Sequence, residues 1–284
     1  MTKYGIIADS GCDLKQLTGV DPDKITFSRA PLVLRVGDRE YEDVVDLDVK
    51  EFMDAVKAYE GPTGTAAPNP QTWYDAFCAA DEVFAVTITS SLSGSYNSAV
   101  SALKMIQDED PDKKVHIIDS KSAGAELTMI VEKLVELMEQ ELPFEEIVEK
   151  IEDYQINQAH LLFVLETLDN LVKNGRVSKL KGNMAGLLGI KILGCASEKG
   201  TLEVLKNCRG KLTVYKKLIQ EMKERGYKGG KVLIGHCFNE SKANYIRDGI
   251  LKEFPDADVR LIETSGLCSY YAQEGGIMMG YESC

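Results

Sequence analysis

The sequence predicts an α/β fold: a parallel sheet covered by helices on both faces, followed by a smaller α+β region. Three observations predict it. Short β-like apolar runs alternate with amphipathic helical patterns through the first half. Past about residue 157 that regular alternation is lost. The 284 residues exceed the roughly 100 to 200 of a usual single domain, so two domains are expected, residues 1–157 and 158–284. The chain is 44% apolar and 27% charged, enough for a sizeable core, and has no apolar run approaching the ~20 residues of a membrane span.

In chain order, the strand signals of the first half are residues 4–8, 31–36, 82–88 and 114–119. Between them, Asp48 followed by Glu51 forms a capping-box pattern, and Val49, Phe52, Val56 and Tyr59 recur at helical spacing, predicting a helix over 49–59. Asn69 before Pro70 supplies a cap and a first-turn proline, with Trp73, Ala76, Phe77 and Ala80 as one apolar stripe. Ala99, Leu103 and Ile106 mark a further helix. Leu127, Ile130, Val131, Leu134 and Met138 form the longest stripe, a core-facing helix. Leu142-Pro143-Phe144 breaks it, and Ile147, Val148 and Ile151 begin the next.

The second half has strand signals at 160–165, 201–205, 231–237 and 258–262. Helical signals fall at 168–173, 212–225 and 241–252.

Forty-five acids against thirty-three bases give a net charge of -12, which repels phosphate backbones and anionic surfaces and argues against nucleic acid as a partner. One stretch departs from this balance: from Lys206 to Lys231 nine Lys or Arg stand against two acids, Glu221 and Glu224. It is either a solvated helix face or a docking surface for an acidic partner. Seven scattered cysteines without a C-x-x-C pair fit reduced thiols better than disulfides or a zinc site, so no metal is expected. The first strand follows Met1-Thr2-Lys3 at once, leaving no room for a signal peptide, and a cytoplasmic location is the expectation.

Three polar clusters follow apolar strands, where open α/β sheets place ligands. Asp9-Ser10-Gly11-Cys12-Asp13-Leu14 could line a pocket or form a turn. Residues 63–70 end at a helix start, so the Thr65 hydroxyl could face a ligand beside free backbone N–H groups, although a plain loop needs no function. Residues 89–95, dense in hydroxyls and small side chains, form an anion nest suited equally to carboxylate or phosphate.

G-x-x-x-x-G-K-[ST], G-x-G-x-x-G and G-x-S-x-G are all absent, which removes the usual support for nucleotide cofactors and hydrolase chemistry. His116, His160 and His236 sit in apparent strands and read as core histidines. No triad follows from their spacing.

Asp9-Ser-Gly-Cys-Asp13-Leu14 resembles the D-S-x-x-D-L opening of the DegV family, and Thr65-Ala-Ala-Pro-Asn-Pro70 is similar to its T-S-x-P-[ST]-P loop. Ser91-Leu-Ser-Gly-Ser-Tyr-Asn-Ser98 resembles its L-S-G-T-x-x-S-A element, Asp119-Ser120-Lys121 its later D-[ST] turn, and Leu168 through Arg176 to Ser178 its L-x-x-L-x-x-G-G-R-[IV]-S. The match runs the length of the chain in order.

The resemblance implies a Rossmann-like N-terminal domain and a smaller C-terminal domain. It implies a carrier that binds a long-chain fatty acid, catalyses nothing alone, needs no cofactor and presents its ligand to a fatty acid kinase. By the same resemblance Thr65, Ser93 and the Gly94 N–H hold the carboxylate, and Arg176 matches the G-G-R arginine. Two positions depart from the pattern: Ala66 replaces the usual serine, and Tyr271 falls about where many members have the histidine of G-T-H-x-G-P-G, so the resemblance adds Tyr271 to Thr65, Ser93 and Gly94 as a carboxylate-binding residue. The family's fold also resembles dihydroxyacetone kinase subunits, so a small-molecule phosphotransfer enzyme is the alternative. A lipid-responsive interaction protein without a kinase is a third reading. At ~0.8 kcal/mol per buried CH₂, an apolar tunnel would set affinity, while hydroxyls worth ~1.5 to 3 kcal/mol would set orientation.

Overall fold

The computed structural model describes residues 2–177, 190–210 and 212–283. Strands β1 (Thr2–Asp9) and β2 (Ile25–Ala30) lead into a hairpin of β3 (Val33–Val36) and β4 (Arg39–Glu42). Helix α1 (Val49–Ala58) starts as its capping pattern predicts, with the Asp48 carboxylate accepting the Glu51 N–H at 2.9 Å. After β5 (Thr63–Ala66), α2 (Pro70–Phe77) is capped by Asn69, which accepts the Thr72 N–H at 3.0 Å.

Ala80 does not continue the α2 stripe. It opens β6 (Ala80–Thr87), opposite Thr2 of β1, because an apolar residue at helical spacing serves equally well as the buried start of a strand. Then follow α3 (Ser95–Glu109), β7 (Lys114–Asp119), α4 (Ala125–Glu139) and α5 (Phe144–Asp153).

Four of these strands form a wholly parallel sheet in the order β2-β1-β6-β7. Ile6, Ala8, Phe84 and Val86 pack under Leu127, Ile130 and Ile147, while Ile7, Val83 and Ala85 face Trp73, Phe77, Ala99 and Ile106. Both faces are covered, as expected for βαβ crossovers. The predicted strand over 31–36 is β3, but it stands outside this sheet. It pairs antiparallel with β4 and β5 in a separate three-stranded sheet.

The remaining elements are β8 (Ala159–Leu165), α6 (Asp169–Lys173), β9 (Ile190–Ala196), β10 (Leu202–Arg209), α7 (Thr213–Glu224), β11 (Val232–His236), α8 (Glu240–Glu253), β12 (Val259–Glu263), α9 (Gly266–Ala272) and β13 (Ile277–Glu282). They build a mixed six-stranded sheet, β10-β9-β8-β13-β11-β12. Along β8, Leu162 and Val164 join the core beneath α7 and α8, while Leu161, Phe163 and Leu165 face the other way. The period of two hides inside a continuous apolar run because both faces are buried.

Helix α4 touches strands of both large sheets, and every residue from Ala125 to Val131 is buried. Its one-sided stripe becomes all-round burial at this end. The basic stretch spans β10, α7 and the approach to β11, apart from Lys211, which lies outside the described residues. Lys206 and Arg225 share Glu221 at 2.9 and 3.0 Å, Lys223 pairs with Glu253, and Lys231 meets Glu136 at 2.9 Å. Among the described residues, no helix is long and apolar enough to cross a membrane.

Candidate functional site

Connections leave β1 and β6 toward opposite edges of the parallel sheet, so a crevice opens at their carboxyl ends. Asp9, at the tip of β1, accepts the Gly11 N–H and the Ile88 N–H, both at 2.9 Å, and so ties the loop after β1 to the loop after β6. Asp13 accepts the Ser265 N–H and hydroxyl at 2.8 and 2.9 Å, and Asp43 accepts the Gly266 and Leu267 N–H groups at 2.9 and 2.8 Å. These two buried acids seat α9.

Desolvation raises Asp9 and Asp13 to about 6, against the lowering effect of their hydrogen bonds. It raises Asp43 too, opposed first by the charge of Arg29. The opening motif is therefore a junction: no residue from Asp9 to Leu14 lines the cavity beside it.

That cavity holds about 900 Å³ of atom-free space, counted out to its open mouth. Leu161, Phe163 and Leu165 of β8, Leu171 of α6, Leu202 of β10 and Met278 of β13 form an apolar wall. Thr65, Ser93, Gly94 and Tyr271, expected as one group, all line it. Thr65 comes from β5, opposite Leu34. Ser93 and Gly94 lead into α3, where the Ser93 hydroxyl accepts the Ser95 N–H at 3.2 Å. Tyr271 sits on α9 with its hydroxyl 2.9 Å from that of Thr65. Burial raises the Tyr271 phenol above its ordinary value, offset in part by Thr65 and Arg176, so it is a neutral hydrogen-bonding group at physiological pH.

Among the described residues, two cations, Lys121 and Arg176, line the cavity, and no Asp or Glu does. In a chain of net charge -12, this local excess favours an anionic ligand. The Arg176 Nε donates to the Leu92 carbonyl at 3.3 Å, and its guanidinium also reaches the Asn174 carbonyl. Ser178, the last residue of that motif, lies outside the described residues. Thr89 of the predicted anion nest and Lys121 of the Asp119-Ser120-Lys121 turn also line the site, joined by Ser122, which no sequence motif singles out. Lys121 follows a parallel strand at φ 54, at the strand end where open α/β sheets place ligands.

The hairpin of β9 and β10 closes over the Ser/Thr loop. Thr89 donates to the Gly200 carbonyl at 2.9 Å and Ser91 to the Lys199 carbonyl at 2.5 Å. The histidines lie elsewhere, in β7, β8 and β11. His116 faces Glu152 at 3.4 Å, His160 meets Ser283 at 2.7 Å, and His236 is buried. Cys268 does line the cavity, but burial holds its thiol well above the ordinary value, unsuited to a thiolate nucleophile.

Comparison with known proteins agrees with this architecture. A DegV domain-containing protein of Streptococcus pneumoniae is 45% identical over 279 residues, covering 98% of this chain and 99% of the relative. The solved structure of the Streptococcus pneumoniae fatty acid kinase B3 protein, loaded with linoleic acid, superposes with a TM-score of 0.96 at 44% identity, covering 100% of both chains. A DegV family protein of Eubacterium eligens loaded with heptadecanoic acid gives 0.92 at 39% identity, covering 99% of this chain and 100% of that one. The family described as "uncharacterised protein, DegV family" matches residues 3–282, and the chain belongs to the DegV family.

Proposed function

We propose that this chain binds one long-chain fatty acid, shields its acyl chain and presents the carboxylate to a fatty acid kinase. The observation that carries the reading is a cavity with an apolar wall that, among the described residues, gathers Thr65, Ser93, Gly94 and Tyr271 with two cations and no acid. In this proposal Thr65, Ser93 and the Gly94 N–H hold the carboxylate, Tyr271 braces Thr65, and Lys121 and Arg176 supply positive potential. The chain works as two domains, 1–157 carrying the binding loops and 158–284 the acyl wall. It performs no chemistry alone and acts in the cytoplasm, where a kinase finds its nucleotide.

The relatives that hold linoleic and heptadecanoic acids support the ligand class. The physics agrees: about fourteen buried methylenes contribute roughly 11 kcal/mol before ordering costs, far more than any single hydroxyl. Mass spectrometry of an organic extract of purified protein is expected to find about one fatty acid per chain. An extract without lipid, together with no binding of added palmitate or oleate, would remove the proposal.

A further inference from the structure

One row of residues crosses the apolar wall. Phe163 of β8 stands opposite Gly194 of β9 on one side and Met278 of β13 on the other, and both side chains line the cavity. Each of these large residues is seated against a glycine. A Cβ added to Gly194 would lie 2.3 Å from Cζ and 2.4 Å from Cε2 of Phe163, so the ring lies folded across β9 over the missing side chain, as aromatic residues do over cross-strand glycines. A Cβ at Gly124 would lie 2.8 Å from Cε and 3.2 Å from Sδ of Met278.

We infer that Gly194 and Phe163 together set the length of acyl chain the cavity accepts, an inference that rests on the fatty-acid reading above. The ring occupies space over β9 only because residue 194 has no side chain. With a methyl group there it must swing toward the cavity, since the strand pairing holds its Cα opposite residue 194. A displaced ring removes room for terminal methylenes. Each methylene left unburied costs about fourfold in affinity, so Gly194 acts as a specificity-determining residue through the ring it accommodates. Gly194 does not itself line the cavity and is none of the proposed carboxylate-holding residues, so carboxylate recognition should be unchanged.

The test compares delipidated wild type, Gly194→Ala, Phe163→Ala and the double variant for binding of lauric, myristic, palmitic, stearic and arachidic acids. Gly194→Ala should lose stearic relative to myristic acid by tenfold or more while holding lauric acid as the wild type does. Phe163→Ala should move the optimum to longer acids. The Cβ at 194 also meets the Glu203 carbonyl at 2.4 Å, but that clash is common to the single and double variants. Recovery of stearic acid binding in the double variant therefore isolates the ring as the cause.

Should Gly194→Ala fail to fold, Phe163→Ala decides alone: a longer optimum supports the inference and an unchanged profile overturns it. Failure of the double variant to recover stearic acid overturns it as well. A wild type that binds none of these acids sinks the fatty-acid reading itself, whereas normal binding with identical profiles sinks only this inference.

Discussion

The Tyr271 hydroxyl lies 2.9 Å from the Thr65 hydroxyl, joining α9 to β5 across 206 residues of sequence. Tyr271→Phe breaks this bond between neutral groups and leaves the ring in place. Fatty-acid affinity should fall by about 0.5 to 1.5 kcal/mol, roughly two- to tenfold. Titration calorimetry on delipidated protein reads the change, and an affinity equal to the wild type would show that the pair does not brace the carboxylate site.

Removing a hydroxyl that bonds the carboxylate directly costs more, because a charged oxygen is left short of a donor. Ser93→Ala and Thr65→Val should each weaken binding by ~1.5 to 3 kcal/mol, roughly ten- to two-hundred-fold. A folded double variant with an unchanged dissociation constant would exclude both residues from the site.

Among the described residues no histidine lines the cavity, and Tyr271 stays neutral through the physiological range. Affinity for a monomeric fatty acid should therefore be nearly flat between about pH 6.5 and 8, since an ordinary imidazole titrates near 6.5. A clear protonation step in that range, abolished by His236→Gln, would place a histidine against the carboxylate after all.

Glu126 is buried on α4, with Ser122 as its hydrogen-bond partner. Desolvation raises it from 4.5 to about 7, against the opposing bond from Ser122. Between these values the native state binds more protons than the unfolded chain, so this group's stabilising contribution is full below about pH 4.5 and lost as pH rises through about 7. Glu126→Gln should remove a slope worth on the order of 3 kcal/mol and be the more stable form at pH 8. Urea unfolding of both proteins across this range measures the difference, and parallel curves would contradict the assignment.

Gly200 has φ 71, and a Cβ there would meet the Thr89 Oγ1 at 2.1 Å and the Lys121 Cα at 3.0 Å. Gly200→Ala combines a left-handed backbone cost with a clash at the bond that closes the hairpin over the loop. Thermal unfolding should show a loss of about 1 to 3 kcal/mol. Weaker fatty-acid binding should accompany it, and an unchanged melt would show that the hairpin yields freely.

Much of this protein is legible in its sequence because the relevant physics is local. Asp48 and Asn69 announce their helices through a carboxylate and an amide that cap nearby N–H groups, and the apolar alternation of the first half announces a parallel sheet. Thr65, Ser93, Gly94 and Tyr271 were identified by motif resemblance, and the fold brings them to one cavity. Other features depend on partners distant in the chain. Ala80 reads as helix or strand until Thr2 lies opposite it, and the all-round burial at the start of α4 exists only because two sheets close on it. Likewise Leu161, Phe163 and Leu165 are ordinary strand residues in sequence. They become a cavity wall only when β9 and β13 pair on either side of β8 and put Gly194 and Met278 in register with Phe163. Periodicity reports which residues share a face, but register and crossover decide what that face meets, and the cavity belongs to the second kind of information.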